Sequence, residues 1–470
     1  MKKIILSSLL IVSTVISAKM EWSPERIEQA KKLVSKYSVE LSHMASEKVA
    51  VSAEGKGDLD DNNWGVVFYG NKKYSEFARS LHSALLYQDA LNHDFEEGYK
   101  AFTEGQPKKI TPEQFTTLRT MLSEFREKTN NSDVLEAMIV INDIGKAESV
   151  QKKVAAWTKN DSVDHDQVLS DLLRLAETNQ EAAALIPNIM KLSKEERDLM
   201  SSIWAARLNI PQFAQGECPE RALEDFVKLN DVQKLGATLE AIFDVAGAQA
   251  HTGIKSNIFF FNLPNFTLGY EKLKQDLDIH EMYKSFYFEL VEKTGATFDE
   301  SWKEKKKITL GRLFKLGRGS TKEYFEKVVH AFHALPIETQ EYLIKEMSLK
   351  SSDLATGITI MYSPALMQKT QGKDQDIVNA YAFLAVCYNH ARYKQLPKMY
   401  VFDINDATSS TATIAELIKH PIYYKKHDDG AKLLLVEPTK EKKSMYSSMI
   451  GYASENLHWI KDKFGSKSKA

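Results

Sequence analysis

Four stretches of this 470-residue chain carry carboxylates and imidazoles at spacings that suit hydrolytic chemistry. They are Arg79-Ser80-Leu81-His82, Asn142-Asp143-Ile144-Gly145-Lys146, Asp164-His165-Asp166, and Asp244 through His251. A hydrolytic metal centre gathers several hard or borderline ligands from separate helices and leaves coordination positions open to water and substrate. His82 falls with Leu85, Leu86 and Asp89 at helical spacing and so faces the core side, where a satisfied core histidine is the plainer reading. His93, further along, reads as a weaker competitor near the helix end. Asp143 closes the apolar run 134–141, and a carboxylate there is costly unless it is paired or coordinated. The plainer reading is a glycine-stopped helix end with locally bonded Asn142 and Asp143. His165 shares a stripe with Leu169, Leu172 and Ala176, with Asp166 on its edge and Asp164 able to cap the helix. Asp244, Ala248 and His251 share a face otherwise lined with small residues. An aspartate in Ile242-Phe243-Asp244-Val245-Ala246 is hard to explain as a solvated charge.

The elements that must position these groups read as amphipathic helices. Ser23-Pro24-Glu25 starts one helix, Thr111-Pro112-Glu113 caps another, and the segment holding His82 runs from about 74 to 92. Further helices are expected near 132–142, 164–178, 181–193, 194–208, 219–229 and 231–250, and again from 268, 279 and 321. Residues 64–70 read as a short extended piece, and the basic stretch 303–308 as a solvated linker or helix end. Between Pro211 and Pro219 lies a polar loop with Gln212, Gln215 and Glu217, plainest as an ordinary solvated loop. Ser363-Pro364 starts a helix, and helical character lasts to about 393. Residues 421–437 read as a β-hairpin turning at Asp429-Gly430, which makes His427-Asp428 a turn flank. The fold class is therefore mainly all-α, with a boundary near 300: a helical domain over 19–300 and a C-terminal helical region with the hairpin over 301–470.

With 62 basic and 64 acidic side chains and no basic block, the chain does not have the electrostatics of a nucleic-acid backbone binder. Met1-Lys2-Lys3, the apolar stretch 4–16 and the small residues ending at Ala18 form a bacterial-type secretory signal, 1–18. A secreted or periplasmic protein is expected, with no transmembrane segment after cleavage. The two cysteines, Cys218 and Cys387, either form one bridge or stay as buried thiols.

The ordered series Arg79-x-x-His82, Asn142-Asp143-x-Gly145-Lys146, His165-Asp166 and Asp244 resembles the HD phosphohydrolase superfamily, with Asn142 where that family has its first motif histidine. Gln215-Gly216-Glu217-x-Pro219, Asp244-x-Ala246-Gly247-Ala248 and Ser363-Pro364-Ala365-Leu366 also look like an uncharacterised group of long HD-like proteins with asparagine at that position. The resemblance implies an all-α HD-like core and attack of metal-activated water on a phosphomonoester or phosphodiester. It makes Asp143 the central ligand, joined by His82, Asn142, His165 and Asp244 around a divalent ion (Mg, Mn, Fe or Zn). Asn142, a neutral oxygen donor, would favour the harder metals. Lys146 is aimed at the substrate phosphate, with Arg79 and Lys255 as further substrate contacts, and Asp166 or His251 handles protons. Two rivals stand beside it. One is a catalytically inactive HD-like protein that binds a ligand or a protein partner, with the C-terminal region as the partner surface. The other is a purely structural helical protein.

Overall fold

The computed structural model describes residues 22–46, 63–70, 76–106, 109–159, 165–206, 210–248, 263–275, 277–353, 357–392, 399–404, 422–426 and 430–435. The expected signal segment, Asp164, His251, Lys255 and His427-Asp428 lie outside them. The chain is mainly helical. It forms two compact units, residues 1–205 with 235–263, and residues 206–234 with 264–470.

The first unit contains α1 (Pro24–Lys36), α2 (Ser38–Ser46), α3 (Trp64–Tyr69), α4 (Phe77–Ala90), α5 (Phe95–Phe102), α6 (Pro112–Lys128), α7 (Val134–Ile141), α8 (Glu148–Thr158), α9 (His165–Ala176), α10 (Gln180–Ala183) and α11 (Lys194–Ala205). The second opens with α12 (Ile210–Ala214), and α13 (Asp231–Gly247) then supplies most of its length to the first unit. The helix starts follow the sequence. Ser23 accepts from the Arg26 N–H ahead of Pro24, and Thr111 and Gln114 form a reciprocal capping box. Each such cap is worth about 1 kcal/mol.

Three expectations are corrected. Residues 64–69 are helix rather than strand, because Asn63 caps the Gly65 N–H and Gly70 closes the turn at φ +62°. The helix expected over 181–193 is a single turn, α10, followed beyond Pro187 by a 3-10 turn at Ile189–Lys191. Proline blocks a continuous ladder there. The helix expected over 219–229 is two 3-10 turns, Glu220–Leu223 and Phe226–Lys228.

In the first unit α4 and α7 are buried almost end to end and pack on each other. Buried charges around them are answered locally. Asp89 of α4 takes a two-pronged bond from Arg26 of α1, at 2.6 and 2.7 Å. Glu136 of α7 takes Lys36 at 2.7 Å and Gln88 at 3.0 Å.

The second unit continues with α14 (Leu263–Leu273), α15 (Ile279–Glu292), α16 (Glu304–Leu316), α17 (Lys322–His333), α18 (Ile337–Met347), α19 (Ser363–Lys369) and α20 (Asp374–Arg392). Of the two readings of 303–308, the helix end holds: Lys303 is the N-cap and Glu304 opens the first turn of α16, which is buried from Ile308 onward. The expected boundary near 300 is thus replaced by one compact unit that holds α15 and α16 together.

The strands are β1 (Gly357–Met361), β2 (Met399–Asp403), β3 (Ile422–Lys426) and β4 (Gly430–Leu435). The hairpin expected over 421–437 is present as antiparallel β3 and β4, with Tyr424 opposite Leu433. It belongs to a larger sheet of order β1-β2-β4-β3, in which β1–β2 and β2–β4 are parallel. A parallel pair needs a long crossover, and α19 and α20 provide it between β1 and β2. Cys218 and Cys387 are both free and buried. Among the described residues, no helix is long and apolar enough to cross a membrane.

Candidate functional site

α7 stops at Ile141, and the chain runs through Asn142 and Asp143 into a 3-10 turn, Ile144–Lys146. Side chains three apart nearly eclipse in a 3-10 turn. Asp143 and Lys146 therefore meet, with Oδ1 to Nζ at 2.6 Å. Gly145 is not a left-handed helix stop, as the sequence suggested. A Cβ there would lie 2.2 Å from the His165 carbonyl oxygen, so glycine lets the start of α9 press against this turn.

The opposite wall comes from α4 and α13. Gly247 sits on α4 so closely that a Cβ would meet Ser83 Oγ at 2.0 Å and the Arg79 carbonyl oxygen at 2.9 Å. That approach brings Asp244, one helical turn earlier, to Arg79. The Arg79 guanidinium hydrogen-bonds Asp244 through Nη2, while its Nε faces Asp143 Oδ2 at 3.5 Å. On the far side Lys146 reaches Glu76 Oε1, also at 3.5 Å.

Asp143 is only 1% exposed. Burial would raise its pKa, but Arg79, Lys146 and His165 together hold its carboxyl well below the usual carboxylate range. Burial pulls Lys146 the other way, and Asp143 with Glu76 keeps its ammonium above the ordinary lysine value. Glu240 lies one turn before Asp244 on α13. Burial, then Asp244, Asp166 and Asp143, push its carboxyl well above the usual value.

Arg79, Asp143, Lys146 and Asp244 thus converge as the sequence order suggested. His165 and Asp166 stand at the edge, paired at 3.2 Å and 36% and 40% exposed. His165 is therefore not on a buried stripe. His82 is buried as expected, with its ring 5.7 Å from the Trp22 ring beside the Trp22–Trp64 stack. Asn142 is half-buried at the head of the turn, and His93 is exposed just beyond α4. Two acids escaped the sequence reading. Glu76 precedes α4 with no periodic signal of its own. Glu240 had one, because it stands at i−4 from Asp244, and the face was followed toward His251 instead.

These side chains do not present a metal with ligands. Asp143 is engaged by Lys146 on one oxygen and faced by Arg79 on the other, and Asp244 is taken by Arg79. Among the described residues, no group of three or more His, Cys, Asp or Glu side chains is arranged to hold a metal ion. Lys146, expected at a substrate phosphate, is instead turned inward onto two carboxylates.

A family model matches residues 30–405 of this chain, a span that contains the whole cluster. The chain belongs to DUF6829, a family of unknown function. No curated protein and no solved structure matches it.

Proposed function

We propose that this DUF6829 protein is an exported, non-hydrolytic binding protein on an HD-like helical scaffold, in which the Arg79 guanidinium does the work that a metal ion does in a hydrolase. The observation that carries this reading is the double engagement of Arg79, which faces Asp143 from Nε and bonds Asp244 from Nη2. A planar, permanently charged fork is suited to bridging two carboxylates. With Lys146 on the remaining side, two cations of the chain itself answer Asp143 and Asp244, and Lys146 is committed to carboxylates. The asparagine at 142 is consistent with this, since a centre without a metal needs no imidazole there.

Metal-dependent phosphoester hydrolysis is the second reading. It is favoured by the acids Glu240 and Asp166, which lie close enough to Asp143 and Asp244 to shift the Glu240 carboxyl.

Elemental analysis of protein purified without chelator, with thermal unfolding in EDTA and in Mn²⁺, separates the two. The expected result is no stoichiometric metal and the same Tm in both buffers. Arg79→Ala is expected to lose roughly 1–3 kcal/mol, because Asp244 then lacks its counter-ion while Asp143 keeps Lys146. Stoichiometric metal in the wild-type protein, together with turnover of phosphoesters, would overturn the proposal and establish the second reading.

A further inference from the structure

Carboxyl groups outnumber cations in the Asp143 cluster. Those of Glu76, Asp143, Asp166, Glu240 and Asp244 share two permanent cations, Arg79 and Lys146. Lys146 is taken up by Asp143 and Glu76, and Arg79 by Asp244 and Asp143. Asp166 pairs with the His165 ring at 3.2 Å. Glu240 lies within electrostatic range of Asp244, Asp166 and Asp143, and Arg79 draws on it more weakly than burial and those acids push.

Two oxygens of this cluster are left over. Among the described residues, Glu240 Oε1 is sealed from solvent and has no hydrogen-bond partner. Asp143 Oδ2 is in the same condition, with Arg79 Nε no nearer than 3.5 Å. The two come from separate elements, α13 and the turn after α7, and the Asp143 side chain is almost wholly buried. A buried acceptor left without a donor costs about 1–3 kcal/mol, and such atoms in native structures mark the place of a partner that completes them. The cluster is open on one side, since Asp166 is 40% exposed, Arg79 and Asp244 are each 20% exposed, and Glu240 is half-buried. A small molecule therefore has a way in.

Both left-over atoms are acceptors, so the partner they lack is a donor, and the excess of acids calls for a positive one. A metal ion would need several oxygens gathered at about 2.0–2.6 Å, and among the described residues no such group exists. An ammonium group reaches its acceptors at about 2.7–2.9 Å through three rotatable N–H donors, which suits a wider and less regular cradle. We propose, resting on the metal-free reading of this cluster, that it binds the primary ammonium group of a small organic molecule, which donates to Glu240 Oε1 and Asp143 Oδ2 with Asp166 at the entrance. Arg79 and Lys146 keep their own carboxylates, so the ligand adds a cation and displaces none. Arg79 repels it, which holds the expected affinity to about 1 mM.

Titration calorimetry of the full chain with methylammonium chloride at constant ionic strength tests it, at about pH 8, where an alkyl ammonium keeps its charge. Tetramethylammonium has the same charge and no N–H donor, and it is expected to bind about tenfold more weakly or worse. Glu240→Gln is nearly isosteric, so it is expected to unfold as cooperatively as wild type while losing methylammonium affinity about tenfold. Asp166→Asn, at the exposed edge, is expected to weaken binding about threefold. Absence of methylammonium binding at about 50 mM in metal-free protein overturns the proposal and leaves the metal-free reading standing. Wild-type affinity in both variants does the same, as do equal affinities for the two ammonium ions. Stoichiometric Mn²⁺ held by the wild type and lost in Glu240→Gln would overturn the proposal together with the reading on which it rests.

Discussion

Asp143 is held by two cations of different kinds. Lys146 reaches it from the same 3-10 turn and is tied to local backbone, whereas Arg79 arrives from α4 and joins Asp143 to Asp244 of α13. Glu240 is the acid whose carboxyl this arrangement pushes up. Its carboxyl titrates above the ordinary value in the fold, so the folded chain binds that proton more tightly than the unfolded chain does. Stability therefore falls as pH rises above the ordinary glutamate range, toward the folded value. Glu240→Gln is expected to remove that slope, so the variant gains on the wild type as pH rises from about 5 to about 8 in urea melts. Parallel pH profiles for the two proteins would show that Glu240 is charged in the fold. At this scale the sequence was informative about Arg79, His82, Asp143, Lys146 and Asp244, because an acid or imidazole in an apolar helical run advertises its cost. It was silent on who answers whom. The pairing depends on the eclipse of Asp143 with Lys146 and on the Gly247 contact with α4, neither of which leaves a mark in periodicity.

Among the elements, the junction of the 142–146 turn with α9 depends on one missing methyl group. Gly145→Ala is expected to cost roughly 1–3 kcal/mol, since the Cβ meets main-chain oxygen that cannot rotate away. A variant as stable as wild type in chemical denaturation would mean that α9 is free to slide. The second unit has a clamp of another kind. His280 of α15 is held by Glu220 at 2.6 Å on Nδ1 and by Glu304 of α16 at 2.8 Å on Nε2. Burial lowers its pKa, but the two carboxylates outweigh this and raise it above the ordinary histidine value. The clamp therefore contributes fully below the unfolded value of about 6.5 and is lost as pH rises through the higher folded one. The Tm difference between wild type and His280→Asn is expected to be largest near about pH 5.5 and to shrink toward about pH 8.5. A constant difference would assign His280 a packing role only. Helices with caps or strong periodicity, α6 and α9 among them, were readable in advance. The run Val66-Val67-Phe68-Tyr69 was not, because its β-branched and aromatic residues suit a strand and only Asn63 and Gly70 decide for helix.

For the whole molecule, chain order and compact units do not coincide. The backbone leaves the first unit after 205, returns at 235 and leaves again after 263. A boundary near 300 looked natural in sequence because residues 303–308 are basic, yet those residues open a helix of the second unit's core. A fragment covering 19–300 would carry α15 without α16, leaving Tyr287 without its packing on Gly311. It is expected to aggregate or to melt without cooperativity in calorimetry, whereas a single sharp transition from that fragment would restore the boundary at 300. The bridge from Arg79 to two aspartates also sets how the protein relates to its surroundings. A counter-ion that is part of the polypeptide has no dissociation constant, cannot be stripped by a scavenger and cannot be exchanged for a tighter-binding rival. On the proposed reading the charge balance at Asp143 and Asp244 is therefore fixed at synthesis, in any compartment and at any supply of trace elements.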